Sequence, residues 1–357
     1  MRILVATDAW HPQVNGVVRT YERLAVELAA LGVEMTVLAP HEFHTLPCPT
    51  YPEIRLALPS PGYIARRFRA VKPDAVHIAT EGPLGWMTQR HCRTHGIPFT
   101  TSFHTRFPEY LHQRFAIPTG WTEAVLRRFH NAGAGLMVAT PSLGRELEAR
   151  GFQRVLPWTR GVDTNLFRPR PVHLFGDAPV FLYVGRISAE KSIADFLDLK
   201  LPGRKVVVGG GPQLDELRAK YPDVLFTGKQ TGEALAECYA SADVFVFPSR
   251  TDTFGIVLLE AMASGLPVAA LHVCGPLDVV RNGVTGMLAH DLRAAALAAL
   301  SLDRTNVRAK AAEYSWENAA RLFLANITGA CLNGPARAHH GHKLIVAKPS
   351  PPPRARI

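Results

Sequence analysis

The sequence predicts an α/β protein made of two doubly wound domains that face each other across a cleft. Short apolar runs without polar alternation, typical of buried parallel strands, alternate with amphipathic helical segments. This rhythm covers the first 165 residues and restarts after an irregular, proline-rich stretch at 168–179. A chain of 357 residues is also long enough to form two hydrophobic cores.

The first half contains one clear helix and five strand-like segments. The helix is predicted over 15–32, where apolar residues recur at helical spacing until Gly32 ends the pattern. The strands are predicted within the segments 1–10, 34–40, 72–80, 97–104 and 135–142. We therefore assign residues 1–165 to an N-terminal Rossmann-like domain.

The second half repeats the pattern. Its strands are predicted within the segments 180–188, 204–212, 223–229, 242–249 and 266–271. Residues 166–330 are accordingly assigned to a second Rossmann-like domain. The last segment, 331–357, is basic, rich in proline and without periodicity, so we expect it to be disordered.

The net charge of +10 is unevenly distributed. Residues 1–165 carry 18 Lys and Arg against 13 Asp and Glu, residues 166–332 carry 17 of each, and residues 333–357 carry five cations and no acid. A basic first domain is compatible with nucleic acid, with an anionic lipid surface, or with solubility alone. The neutral second domain and the absence of a nucleic-acid motif argue against nucleic acid.

Cysteine usage and hydropathy indicate a cytosolic protein. The five cysteines are scattered and form no CxxC pair, which predicts reduced thiols and no zinc site. The apolar N-terminus is interrupted by Asp8, too early for a signal peptide, and no apolar run is long enough for a membrane span.

Charged and glycine residues follow the predicted strands of the second half. Arg186 and Lys191 come after the strand at 180–188, where two cations can hold a diphosphate. Gly210 and Gly228 follow the next two strands, where glycine lets backbone N–H groups approach a ligand. The alternatives are a solvated turn for the cations and plain tight turns for the glycines.

The stretch 250–265 carries two carboxylates around the start of an apolar helix. Asp252 precedes the helix, and Glu260 lies in its apolar run, where an unpaired charge is costly. Eight residues are about two helical turns, so both can point into one cleft. The backbone N–H groups at the helix start are expected to form an anion site. This adds four ligand-binding residues, Thr253, Phe254, Gly255 and Ile256.

This pattern predicts a clamp for a nucleotide sugar. The carboxylates would bind sugar hydroxyls, and the cations and helix N-terminus would bind the phosphates between them. The alternative for Asp252 is a helix N-cap. In the first half, Gly16 opens a helix and permits close approach of a phosphate or sugar, and His104 follows a strand at the ligand-binding edge.

Two basic segments of the first half, 63–72 and 121–133, combine arginines with aromatic residues. They predict either ordinary amphipathic surface helices or a face for anionic lipid, with Phe68 and Phe129 adding shallow burial. The arginines concerned are Arg66, Arg67, Arg69, Arg127 and Arg128.

Together these motifs resemble the retaining glycosyltransferases of the GT-B fold, family four. The E-x7-E motif corresponds to Asp252 and Glu260, with Asp at the first position, and the Arg/Lys pair corresponds to Arg186 and Lys191. Segments 15–17 (NGV), 102–107 (SFHTRF) and 160–169 (RGVDTNLFRP) also match, and the resemblance covers about residues 1–330.

Segments 79–85, 103–111 and 252–255 are similar to those of the branch with sulfoquinovosyl-, glucuronosyl- and glucosyl-diacylglycerol synthases and GDP-mannose-dependent lipid mannosyltransferases. The resemblance implies that His104 touches the transferred sugar and that Tyr110 lies on the acceptor side. It further implies that the catalytic residues are His104, Arg186, Lys191, Asp252 and Glu260.

The expected function is transfer of a hexose from a nucleotide sugar to a membrane lipid, with retention and without a metal or other cofactor. The first choice is a UDP-sugar with diacylglycerol, and GDP-mannose is the alternative donor. The expected location is the inner face of the membrane, as a peripheral protein. An epimerase, a phosphorylase and a non-catalytic nucleotide-sugar-binding homologue remain as rivals.

Overall fold

The structure, a computed structural model, describes residues 1–13, 15–48, 51–106 and 118–333. Two six-stranded parallel sheets dominate it, with strand orders β2-β1-β5-β6-β7-β8 and β11-β10-β9-β12-β13-β14. Both sheets are doubly wound, because the chain leaves the first strand in one direction and later returns to add strands on its other side. The predicted α/β architecture is therefore confirmed.

The first sheet forms from short, apolar, almost fully buried segments. Its strands are β1 Arg2–Ala6, β2 Glu34–Leu38, β5 Ala75–Ile78, β6 Phe99–Phe103, β7 Gly135–Val138 and β8 Val155–Pro157. An antiparallel hairpin, β3 Thr45–Cys48 and β4 Tyr51–Ala57, stands beside it and was not predicted. The helices described in this half are α1 Gly16–Ala30, α2 Pro61–Val71, α3 Pro83–Thr94, α4 Thr119–His130 and α5 Pro141–Ala149.

The second sheet begins after a stretch without helix or strand that contains the predicted linker at 168–179. Its strands are β9 Val180–Val184, β10 Arg204–Val208, β11 Leu225–Gly228, β12 Val244–Phe247, β13 Val268–Leu271 and β14 Gly286–Ala289. The helices are α6 Ile193–Leu197, α7 Leu214–Lys220, α8 Gly232–Ala240, α9 Ile256–Ala263, α10 Pro276–Val279, α11 Leu292–Ala299, α12 Arg304–Ala311 and α13 Trp316–Asn333.

The last helix, α13, returns to the first sheet, although the sequence-based division placed it with the second. Ala320, Phe323 and Ile327 are buried in the cluster that contains Tyr21 of α1. The Phe323 ring lies 4.8 Å from that of Trp158 and 5.0 Å from that of His77. An amphipathic helix has the same sequence pattern whichever sheet it covers, so chain order alone assigned it wrongly.

No helix within the described ranges is both long and apolar enough to cross a bilayer. Helix α13 runs to Asn333, so the first three residues of the segment 331–357, which was expected to be disordered, are helical. The rest of that segment lies outside the described ranges.

Candidate active site

The two sheets place their ligand-binding edges against each other. A doubly wound sheet opens a crevice where two neighbouring strands send the chain in opposite directions. In the second sheet this point lies between β9 and β12, and Arg186 and Asp252 follow these two strands. In the first sheet it lies between β1 and β5, and Asp8 follows β1.

Lys191 and Asp252 meet at the crevice of the second sheet. Lys191 Nζ donates to Asp252 Oδ1 at 2.5 Å, so the predicted phosphate cation and the predicted sugar carboxylate are ion-paired with each other. The second carboxylate oxygen, Oδ2, is buried without a hydrogen-bond partner among the described residues. A buried acceptor without a donor is unfavourable, so this oxygen is suited to receive a ligand hydroxyl.

The start of α9 is shaped by Gly255, whose φ of 81° places it in the left-handed region that favours glycine. Ile256 then begins the helix, two residues after Phe254. The side chain of Phe254 is 5% exposed and packs in the core of the second domain, so only its backbone is available to a donor. Thr253 donates through Oγ1 to the His104 carbonyl at 2.9 Å, and this bond joins the two domains.

Glu260 is buried at 4% exposure, and both of its carboxylate oxygens have protein partners. Arg19 Nη1 lies 3.1 Å from Oε1, and the Tyr239 hydroxyl donates to Oε2 at 2.9 Å. Burial raises the pKa of Glu260, and Arg19 and Tyr239 oppose that rise. Arg19 belongs to α1, so this ion pair spans the cleft at the position predicted to bind donor hydroxyls.

The N-terminus of α1 lies close to that of α9, because a Cβ added to Gly16 would lie 3.8 Å from Cδ1 of Ile256, an ordinary van der Waals distance. Asn15 caps α1, since its Oδ1 accepts from the backbone N–H groups of Val17 and Val18. Among the described residues no side chain caps the start of α9, so the N–H groups of α9 are the ones suited to an anion. At the two other predicted glycines, Gly210 and Gly228, an added Cβ would meet no atom within 4 Å.

His104 is fixed by a directed chain of hydrogen bonds. Arg160 Nη2 lies 3.1 Å from Nδ1, and a guanidinium can only donate, so the ring proton is on Nε2. Nε2 lies 3.1 Å from the Tyr21 hydroxyl, which in turn lies 2.8 Å from Nε2 of His77. His77 Nδ1 contacts Thr100 Oγ1 at 2.8 Å. Both ring nitrogens of His104 therefore have protein partners.

Arg160 is a buried cation, 4% exposed, for which no carboxylate partner is found among the residues that the structure covers. Nη1 donates to the carbonyls of Trp158 and Thr159 at 2.7 and 3.1 Å, and the guanidinium stacks 4.0 Å from the Trp158 ring centroid. Burial lowers the pKa of Arg160 to about 10. Burial, followed by the charge of Arg160, holds the pKa of His104 well below its usual value, so His104 is neutral.

The predicted basic face is only partly as expected. Arg66, Arg69 and Arg128 are exposed, whereas Arg67 pairs with Glu42 at 2.9 Å. Arg127 lies 3.9 Å from Glu123 and donates to the Arg150 carbonyl at 3.0 Å. Tyr110 lies outside the described residues.

Phe68 and Phe129 were expected to add shallow burial in lipid, and this was wrong. They are 7% and 0% exposed, because both fill the core between their helices and the first sheet.

Sequence reasoning missed two arginines of the site, Arg19 and Arg160. Arg19 is three residues after Gly16, so it lies on the same side of α1 as the predicted ligand contact. Arg160 stands inside the RGVD segment that was assigned only by resemblance. For Arg160, its place within this matched segment was the one feature of the sequence that could have indicated a role in the site.

Comparison with known proteins agrees with this geometry. Residues 14–166 match the family model described as Glycosyltransferase Family 4, and residues 178–303 match the one described as Glycosyl transferases group 1. A GDP-mannose-dependent alpha-mannosyltransferase of Mycobacterium tuberculosis is 31% identical over 318 residues, which cover 81% of this chain and 83% of that protein.

Two further relatives act on other substrates by name. Sulfoquinovosyl transferase SQD2 of Arabidopsis thaliana is 29% identical, over 77% of this chain and 61% of that protein. Alpha-monoglucosyldiacylglycerol synthase of Streptococcus pneumoniae is 26% identical, over 84% of this chain and 78% of that protein.

Solved structures share the fold. Sucrose-phosphate synthase from Thermosynechococcus elongatus superposes with a TM-score of 0.72 at 21% identity, covering 91% of this chain and 97% of that one. HepE of Anabaena, solved with UDP and glucose, gives a TM-score of 0.64 at 15% identity, covering 92% of this chain and 100% of that one. The predicted GT-B arrangement is thereby confirmed.

Proposed function

The chain belongs to the family 4 glycosyltransferases of the GT-B fold, and on that premise we propose that it transfers a hexose from a nucleotide sugar to a membrane lipid with retention. The observation that carries the proposal is the meeting of Lys191 and Asp252 at the crevice of the second sheet, beside the start of α9. The ligand that fits these groups is a diphosphate joined to a sugar. The cation and the helix N-terminus suit the diphosphate, and the carboxylate, with one buried oxygen that has no partner among the described residues, suits a sugar hydroxyl.

The donor would lie mainly on the second domain. Arg186, Lys191 and the backbone N–H groups at the start of α9 would bind the diphosphate. Asp252 Oδ2 would accept a hydroxyl of the hexose. Glu260 would bind donor hydroxyls through the lone pairs that Arg19 and Tyr239 leave.

The reaction would be a front-face substitution. The acceptor hydroxyl attacks the anomeric carbon on the same face from which the nucleoside diphosphate leaves. The departing diphosphate takes the proton of that hydroxyl. Arg186, Lys191 and the helix N-terminus would stabilise the negative charge that develops on the leaving group, without a metal ion. His104 would contact the sugar without carrying the proton, since it is neutral and both ring nitrogens have protein partners.

The acceptor we propose first is diacylglycerol, with UDP-glucose or UDP-glucuronic acid as donor. The monoglucosyldiacylglycerol synthase and sulfoquinovosyl transferase among the relatives support glycolipid synthesis. Such an enzyme would work as a peripheral protein at the inner, anionic face of the membrane, to which its basic first domain is suited.

GDP-mannose is the second candidate donor, because one observation favours it. Two mannosyltransferases that depend on GDP-mannose, from Mycobacterium tuberculosis and Mycolicibacterium smegmatis, are 31% and 33% identical to this chain, above the 26% of the glucolipid synthase. The acceptor in that case would be a lipid or a glycan.

A donor panel tests the proposal. Purified protein is incubated with diacylglycerol in mixed micelles and with labelled UDP-glucose, UDP-glucuronic acid or GDP-mannose, with and without EDTA. We expect one donor to yield an α-linked glycolipid at equal rates in both conditions. A β-linked product would contradict retention, and activity restored only by Mg²⁺ or Mn²⁺ would contradict the metal-free mechanism. Donor hydrolysis without any lipid product would contradict the lipid acceptor.

A further inference from the structure

The first domain has an apolar groove of about 480 Å³ between the β3–β4 hairpin and α3. Among the described residues, its lining consists of leucine, proline, alanine and methionine, including Leu46, Leu56, Leu58, Pro59, Pro83 and Met87. Leu46 and Leu58 are 55% and 54% exposed. Both leucines stand at the rim of this apolar groove, which makes the groove a candidate site for an apolar ligand.

The groove opens at the ligand edge of the first sheet. Pro83 is the first residue of α3, and the next two backbone N–H groups donate to Asp8 at 2.9 and 3.2 Å. Asp8 follows β1, and α3 follows β5, so this end of the groove lies at the crevice between the two strands. His104 follows β6, two strands from β1, or roughly 10 Å across the sheet.

A basic layer of helices borders the groove. Pro59, in the groove lining, lies two residues before α2, and α2 packs on α3. Helix α3 in turn packs on α4: the rings of Trp86 and Phe129 lie 4.8 Å apart, and the Gln89 amide donates to the Phe129 carbonyl at 2.7 Å. These three helices carry seven arginines and one carboxylate, Glu123. Helix α3 contributes Arg90 and Arg93, which are both exposed. The basic face predicted from the sequence did not include these two residues.

We propose that the groove binds a hydrocarbon chain of the lipid acceptor, and this assignment rests on the proposed function. Since the described lining side chains are all apolar, only backbone groups can offer hydrogen bonds, so the groove favours a ligand that needs few. Its volume is within the range of small-ligand pockets. The surrounding arginines complement an anionic bilayer, so a chain drawn from such a bilayer enters the groove while the lipid headgroup reaches the sheet edge near Asp8.

Binding of an acyl probe tests the groove without any need for catalysis. cis-Parinaric acid is titrated into the wild-type protein, into Leu46→Asn/Leu58→Asn, and into Leu174→Asn, substitutions that leave the net charge unchanged. Leu174 is a matched control, because it is also 54% exposed and lies in the linker before the second domain. We expect the groove variant to bind the probe at least tenfold more weakly and the control to bind like wild type, with all melting temperatures alike.

Transfer assays with short- and long-chain diacylglycerol complete the test. The groove variant should lose the preference of the wild type for dioleoylglycerol over dihexanoylglycerol and should hydrolyse donor at the normal rate. Probe binding without transfer to any lipid would contradict the proposed function and leave the groove assignment standing. Unchanged probe binding or unchanged chain preference in the variant would overturn the groove assignment. A dimer that the variant dissociates in light scattering would also overturn it.

Discussion

At the scale of single residues, the most consequential arrangement is the chain from Arg160 through His104 to Tyr21. Burying an arginine without an acid costs free energy, which the hydrogen bonds of Arg160 to two backbone carbonyls and its stacking on Trp158 offset in part. Here Arg160 fixes one tautomer of His104, and burial, followed by the charge of Arg160, holds the pKa of His104 well below its usual value. In the proposed reaction the histidine would therefore be a rigid contact for the sugar rather than a proton carrier.

Replacing Arg160 tests this positioning role. In Arg160→Met we expect kcat to fall about tenfold, or about 1.4 kcal/mol in barrier height. Loss of the positive charge raises the pKa of His104, so acid inactivates the variant at a higher pH than wild type. The measurement is kcat from pH 5 to 9, with melting temperatures to confirm folding. Arg160→Lys, which keeps a donor and a charge, should retain the wild-type acid limb. An unshifted limb in Arg160→Met would contradict the role.

At the scale of elements, α13 completes the first domain from the far end of the chain. It covers β5 and β6 and packs along α1, and its apolar face closes one side of the first core. Tyr21 and His77, which position His104, lie beneath this helix in the same cluster of rings.

Truncation of a buried ring on α13 should destabilise the first domain. Phe323 is fully buried, and Phe323→Ala should lower the free energy of unfolding by about 3–5 kcal/mol. Urea unfolding monitored by tryptophan fluorescence measures it, since Trp158 contacts this ring. Arg321→Ala on the exposed side of the same helix removes only an exposed ion pair with Glu317 and should change little. Equal midpoints for the two variants would mean that α13 does not pack as described.

The strands were predictable because a buried parallel strand is a local apolar run. The β3–β4 hairpin was not, because Pro47 and Pro52 break the strand pattern in a segment that pairs only with itself. The position of Asp252 and Glu260 at the cleft was predictable because a motif fixes their spacing. Arg19 depends on a partner 241 positions away, and its spacing from Gly16 was the one local feature that pointed to the site.

At the scale of the whole molecule, charge gives the protein an orientation. The outer layer formed by α2, α3 and α4 is basic, and the second domain has no net charge. An anionic surface would therefore attract the protein by its first domain and leave the second domain in solvent.

Charge reversal in this layer should weaken membrane binding. For Arg66→Glu/Arg69→Glu/Arg90→Glu we expect at least a tenfold loss of binding to anionic vesicles, since each cation near such a surface contributes about 1 kcal/mol. Binding of the wild type should weaken as salt rises. Vesicle flotation measures both. The control Arg218→Glu/Lys220→Glu/Arg293→Glu changes the net charge equally on the second domain, where the three residues are exposed. Equal losses in both variants would contradict a specific docking face.

The return of α13 to the first sheet also determines the order in which the protein can fold during synthesis. The second domain lies between two parts of the first, so all of its strands leave the ribosome before the helix that completes the earlier sheet. Until then, Tyr21, Leu24 and Leu28 lack the face that buries them. The domain translated first is therefore the last to be finished, and the nascent chain carries an open apolar surface through most of its translation.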